Sequence, residues 1–265
     1  MTSNEDRSDD LFVEINGPIA NFTLNRPKRL NALTISLAKR ILDTFLSLEK
    51  DESIKVVVLS GSGDRAFSAG GDTKEFGSTL NPAEYIRDLT GHLHALVKAF
   101  RKSHILTIAS VNGAVAGAGM GLCLATDFRI ASAKSRFNLA FINLALSPDT
   151  SSTFFLPRLV GLSAATQIAL LGDTIQAQEA ADLGLVHYIV REDELESKTA
   201  ELATRCTNAP RLAVKRTKQL LNRSFHSSLS EQLERERTYV VECAETDDFQ
   251  EGLRAFLEKR TPKYE

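Results

Sequence analysis

The stretch KVVVLSGSGDRAFSAGGDTKEF, residues 55–76, runs an unbroken apolar segment into a cluster of glycines and out into polar residues. A continuous apolar strand that ends in glycine predicts burial on both faces, as in a parallel sheet covered by helices. A second stretch, ILTIASVNGAVAGAGMGLCLATDF (105–128), loosely repeats the order of strand, glycines and helix. The two units place the chain in the α/β class, where strands alternate with helices.

Outward from these units, LFVEINGPIANFTLN (11–25) alternates apolar residues around a Gly-Pro turn and reads as a hairpin. RPKRLNALT (26–34) is a polar, basic loop. A helix is predicted over about 36–50, with Thr34 or Ser36 as its cap, and another over 82–102. FRIAS (128–132) and VHYIV (186–190) read as strands. Short helices over 163–172 and 177–184 each stop at a glycine. Longer helices follow over 192–207 and 210–224, and a last one breaks near Asp247–Asp248. Residues 1–10 read as a disordered tail, 11–195 as the core, and 196–265 as a helical C-terminal region.

Composition is that of an ordinary globular protein, with 43% hydrophobic and 25% charged residues among 265. A net charge of −2 provides no global field towards nucleic acid or a membrane surface, so neither is an expected partner. Cys123, Cys206 and Cys243 form no zinc or redox spacing. The acidic start MTSNEDRSDD lacks the features of a signal peptide, and no apolar run approaches the roughly 20 residues of a membrane span. The expected location is cytoplasmic. The five histidines have no ligand spacing, so no metal site is expected.

The two glycine turns match neither a P-loop nor a dinucleotide fingerprint. Each can present unpaired backbone N–H groups, and the second opens a helix whose positive end favours developing negative charge. Two such donors aimed at one point form an oxyanion hole, although glycine after a strand also serves tight packing alone. Between Arg136 and Arg158 lies a single charge, Asp149, in LALSPDTSST (144–153). Aspartate ahead of Thr-Ser-Ser and an apolar run reads as a helix N-cap, with Thr150 or Ser151 as alternatives.

NRPKRLNALT, AFSAGGDTKEF, VNGAVAGAGMG with TDFRIAS, and FQEGLRAFLEKR, in this order from about residue 11 to the end, resemble the crotonase superfamily of enoyl-CoA hydratases and isomerases. The resemblance implies a crotonase-like spiral of ββα repeats with a C-terminal helical trimerisation region. It implies homotrimers or hexamers, an acyl-CoA thioester substrate, and no cofactor beyond the CoA moiety of that substrate. The amides of Gly71 and Ala118 then fall on the oxyanion hole, with Ala118 standing where the family usually has glycine. Lys28, Arg29 and Leu30 fall on the loop along the pantetheine and phosphates. Ala69 and Asp72 border the adenine pocket, and Phe256 and Lys259 match residues that reach a neighbouring subunit's CoA.

The two glutamates of the family's hydratases are missing, since their positions carry Gly121 and Phe141. Adding water needs a base for one proton and an acid for another. Asp149 stands where double-bond isomerases of the superfamily carry their single acid. The resemblance therefore implies an isomerase with Asp149 as proton carrier. A hydratase, a CoA thioester hydrolase and a non-catalytic acyl-CoA-binding subunit are the alternatives. The segment 77–95 is expected to border the acyl group. An apolar wall would raise the pKa of Asp149 and a helix N-terminus would lower it.

Overall fold

A computed structural model describes residues 10–264. Strands β1 (Leu11–Asn16) and β2 (Ile19–Leu24) form the expected hairpin across Gly17 and Pro18. Asp10, assigned to the tail by sequence, is tied in. Its carbonyl accepts the Asn25 amide at 2.7 Å and its carboxylate meets Arg26 at 3.5 Å. The rest of that tail, residues 1–9, lies outside the described residues.

Helix α1 (Ile35–Leu48) buries Leu37, Ala38, Ile41, Phe45 and Leu48, the stripe that its 3.6-residue period provides. Of the two cap candidates, Thr34 holds the position, its Oγ1 accepting the Leu37 amide at 3.2 Å. Thr34→Ala is expected to lower stability by about 1 kcal/mol, the usual cost of losing such a cap, read as a shift in urea midpoint at unchanged slope. An unchanged midpoint would show that the cap contributes nothing.

Three successive units then wind the spiral. The first holds β3 (Val56–Gly61), β4 (Ala66–Ser68), α2 (Thr73–Ser78) and α3 (Pro82–Lys102). Next come β5 (Leu106–Val111), β6 (Ala114–Ala116) and α4 (Gly117–Ala125). The last has β7 (Phe128–Ser132), β8 (Arg136–Asn138), a 3-10 turn over Phe141–Leu144, and α5 (Ser152–Leu171). Each unit gives its long strand to one sheet, ordered β1-β2-β3-β5-β7-β10, and its short strand to a second, ordered β4-β6-β8-β9. Within each sheet these strands pair in parallel. The sheets are completed by β9 (Ile175–Gln176) and β10 (Tyr188–Val190), with α6 (Ala177–Asp182) between them.

The helix expected over 163–172 is the second half of α5, which is broken at Gly161 (φ 76°, ψ 163°). Its apolar face extends back to Ser152, so α5 has the length and hydropathy of a membrane span. It nonetheless packs against α4 and puts Leu156, Ala165 and Ile168 into the core.

The C-terminal helices are α7 (Leu195–Thr207), α8 (Arg211–Arg223), α9 (Leu229–Ala244) and α10 (Asp247–Leu257). The break near Asp247 is there, with Thr246 capping α10. Leu195, Leu202, Ala203 and Cys206 of α7 pack on Val56, Val58, Ile108 and Ile130, so α7 covers the long sheet. Beyond it, Lys218 of α8 reaches into the core, bonding Asp127 (2.8 Å) and the Ile105 carbonyl (3.0 Å). Arg101 of α3 holds the same carboxylate at 2.9 Å. A buried acid shared by two cations thus anchors α8 to α3.

Candidate active site

The two glycine turns meet face to face. Gly70 has φ 89°, and a Cβ there would stand 3.0 Å from the Ala118 nitrogen and 2.9 Å from the Ala116 carbonyl. Only glycine lets the first turn approach the start of α4 this closely. Beside it, Leu33 donates to the Gly70 carbonyl (2.7 Å) and accepts from the Asp72 amide (3.0 Å). That bridge turns the intervening Gly71 amide the other way, and among the described residues no acceptor takes it. Ala118 is the second residue of α4, whose first-turn amides have no carbonyl within the helix to bond. Ala118 is not among the residues with positive φ, so a side chain is tolerated where the family prefers glycine.

Both residues line a cavity of about 70 Å³ whose other walls include Phe76, Ile86, Leu89, Phe141, Leu144 and Leu146. Asp149 lines it too, and is the only ionisable residue among the lining groups. Thr73 and Thr90 contribute the side-chain hydroxyls. Four larger cavities lie elsewhere among the described residues and are lined by neither Gly71 nor Ala118. Its polar groups, and not its size, set this cavity apart.

Asp149 is not the side-chain cap of α5. The cap position belongs to Ser151, and no side chain there accepts a backbone amide. Thr150 (φ 47°) and Ser151 (φ 65°) are both left-handed, a costly conformation for two successive non-glycine residues. This turn leaves the Asp149 carbonyl to accept the Ser152 amide (2.9 Å), while Asp149 lines the cavity and its carboxylate takes a bond from the Thr150 hydroxyl (2.6 Å). Burial raises the carboxyl pKa. The Thr150 bond and the charge of His94 act against that rise without cancelling it.

The same turn explains Gly121. A Cβ on Gly121 would lie 2.8 Å from the Ser152 Oγ and 2.9 Å from the Thr150 Cβ, with the Thr150 carbonyl closer still. The backbone around Asp149 fills the space that a side chain at 121 would need. Phe141, at the other vacant glutamate position, sits in the 3-10 turn between Ala140 (φ 55°) and Ala145 (φ 54°) and walls the cavity with its ring.

The remaining sequence candidates lie outside this cavity, except Ala69, which lines it and donates its amide to the Leu30 carbonyl (2.9 Å). Leu30 (φ 52°) ends the exposed 3-10 turn that carries Lys28 and Arg29. That loop thus runs beside the first glycine turn. Asp72 is buried, capping α2 through the Lys74 amide (3.1 Å) and pairing with Arg26 (2.9 Å), so its carboxylate serves the scaffold. Phe256 and Lys259 are exposed at the end of α10 and are not brought to the cavity within one chain.

Three contributors escaped the sequence reading. Phe76 lies on Gly71, its Cζ 2.5 Å from where a Gly71 Cβ would be. Arg26 links Asp72, Asp10 and the Ala32 carbonyl (2.6 Å). Asn31, fully buried, donates to the Ser62 (3.0 Å) and Ala66 (2.7 Å) carbonyls and pins the basic loop to the first spiral turn. The quoted motifs contain all three, but one residue in a loop or a six-residue helix has no periodicity to mark it. Among the described residues no group of His, Cys, Asp and Glu is placed to hold a metal.

Two mainly parallel sheets in a ββα spiral, with paired backbone donors where two of its turns meet, define a crotonase fold. The chain belongs to the enoyl-CoA hydratase/isomerase family, whose model matches residues 14–265. It is 31% identical to a trans-2-decenoyl-[acyl-carrier-protein] isomerase of Streptococcus mutans, over 96% of this chain and 97% of that protein. It is 33% identical to a short-chain-enoyl-CoA hydratase of Clostridium acetobutylicum, over 95% of each. A crystal structure of an enoyl-CoA hydratase from Bacillus anthracis superposes with a TM-score of 0.91 at 31% identity, covering 97% of this chain and 99% of that one.

Proposed function

We propose that the protein moves a carbon–carbon double bond in an acyl-CoA thioester, with Asp149 carrying the proton and the amides of Gly71 and Ala118 holding the thioester oxygen. The observation that carries this reading is that Asp149 is the only ionisable residue lining the cavity that Gly71 and Ala118 also line. A carboxylate there takes a proton from the carbon next to the carbonyl, or from the one beyond the double bond. The resulting dienolate oxygen carries the negative charge towards the two N–H groups and the positive end of α4. The acid formed on Asp149 returns the proton at the other carbon, so one group serves both steps and no water is consumed. The apolar walls exclude water, which strengthens the amide–oxygen interaction. Lys28 and Arg29 are exposed cations beside the first glycine turn and are suited to the phosphates of CoA, with Lys259 of another copy completing the set.

A similarity to an isomerase supports this reading, and an equal similarity to a hydratase keeps hydration as the second. Assaying 3-enoyl-CoA and 2-enoyl-CoA esters side by side separates the two. Isomerisation is expected to outrun hydration, and efficient hydration of crotonyl-CoA would overturn the proposal.

The reaction should also report the pKa of its base. Asp149 must be ionised to start, and its pKa is raised by burial. Turnover is therefore expected to fall on the acid side at a pH above that of an ordinary exposed carboxylate. An acid limb at or below pH about 4 would contradict this, since it would mark an unperturbed carboxylate.

A further inference from the structure

Helix α3 joins the acyl cavity to a second space. Thr90 lines the cavity of Asp149, and His94, about one turn further on, lines a cavity of about 870 Å³ between α3, α5, α8 and α9. Ser151, two residues past Asp149, lines that larger cavity as well. The Asp149–Ser151 turn and the Thr90–His94 turn therefore each border the small cavity at one end and the larger one at the other, so the two spaces are neighbours across these turns.

That space is built for an anion attached to something apolar. Lys98, Lys102, Lys215, Arg223 and Arg235 line it without a carboxylate in salt-bridge contact among the described residues, and Glu231, which lies outside the lining, attracts Arg223 and Arg235 from a distance. Arg101 also lines it but is committed to Asp127. The only carboxylate in the lining is Glu49. The Arg235 Nε is buried without a hydrogen-bond partner, an arrangement that a bound acceptor would correct. Phe154, Phe155, Tyr239 and Val97 supply an apolar floor next to these cations. A concave site with one sign of charge concentrates ions of the other sign, and the floor accepts methylenes.

We propose that this cavity receives the far end of the acyl group and that the preferred substrate carries a carboxylate there. From Thr90 to Lys98 the helix rises about 12 Å, so the anion belongs at the end of a medium-length chain. The proposal rests on the acyl group lying in the Asp149 cavity, but it does not require that any bond be moved.

The test is therefore one of binding. Dissociation constants of saturated octanedioyl-CoA and octanoyl-CoA are measured with the full-length protein. The dicarboxylyl ester is expected to bind at least about tenfold more tightly. Arg223→Gln with Arg235→Gln should remove that preference and leave octanoyl-CoA unchanged. Lys98→Gln, at an exposed position, should reduce it in a protein whose folding is not at issue. Equal affinities in the wild type, or a preference that survives both variants, would overturn the proposal. So would free octanedioate binding alongside octanoyl-CoA with no preference between the esters, because the anion would then be a separate molecule. Failure of the isomerase reading leaves these affinities as they are.

Discussion

Asp149→Asn is expected to abolish double-bond migration, lowering kcat by at least about 10²- to 10⁴-fold, the range attributed to a positioned acid or base. The amide keeps the size of the side chain and can still accept the Thr150 hydroxyl, so the cavity is preserved. Dissociation constants for saturated acyl-CoA esters should not change, because neither the Gly71 nor the Ala118 amide is touched. The same variant carries a second expectation of opposite sign. The folded-state pKa of Asp149 is raised above its unfolded value by burial. The folded state therefore holds this proton more tightly, which contributes stability below the unfolded pKa that is lost as pH rises through the folded pKa. At neutral pH the ionised group destabilises the fold, and Asp149→Asn should unfold at a higher urea concentration than the wild type. A side-chain helix cap would predict the reverse. An inactive variant that is also less stable would return Asp149 to the scaffold, and one that turns over normally would leave the site without its base.

How far such a site is legible depends on the length of the feature. The long strands β3 and β5 and the helices α1 and α3 have enough residues for burial and period to show, and their positions follow from sequence. β4, β6 and β8 are three residues each, too short for alternation to register, so the second sheet and the third turn of the spiral were not visible. Only the second half of the kinked α5 is legible in the sequence, because Pro157 and Gly161 look like an end. At the site, the glycine turns were legible as unusual backbone, but the direction of Asp149 was not. Composition favours a cap at Pro-Asp-Thr-Ser, and what decides otherwise is a pair of left-handed residues, Thr150 and Ser151, that no preference of threonine or serine foretells.

Those two residues also determine what happens when the missing glutamates are put back. From sequence, Gly121 and Phe141 are two equivalent vacancies, but in the structure they differ. Phe141 faces the cavity, so its replacement alters a wall. Gly121 faces the Thr150 backbone and the Ser152 hydroxyl, where even a Cβ lies 2.8–2.9 Å from side-chain atoms. Overpacking of a buried position costs about 1–3 kcal/mol when neighbours can yield, and here the nearest neighbour is the carbonyl of a strained turn. A glutamate adds a carboxylate that finds the cavity already lined by Asp149, with no cation among the lining residues. Gly121→Glu is therefore expected to destabilise the protein by about 3 kcal/mol or more, and Gly121→Ala by a smaller amount in the same direction. If Gly121→Glu folds at all, it does so by displacing the Asp149–Ser152 turn, and isomerase activity should fall as the turn moves. Hydration of crotonyl-CoA should not appear, even in combination with Phe141→Glu, because the first glutamate cannot occupy its post while Asp149 occupies its own. Urea unfolding and a crotonyl-CoA assay on the single and double variants check both halves. A double variant that is as stable as the wild type and adds water would show that the turn yields readily and that the two chemistries are not exclusive in this fold.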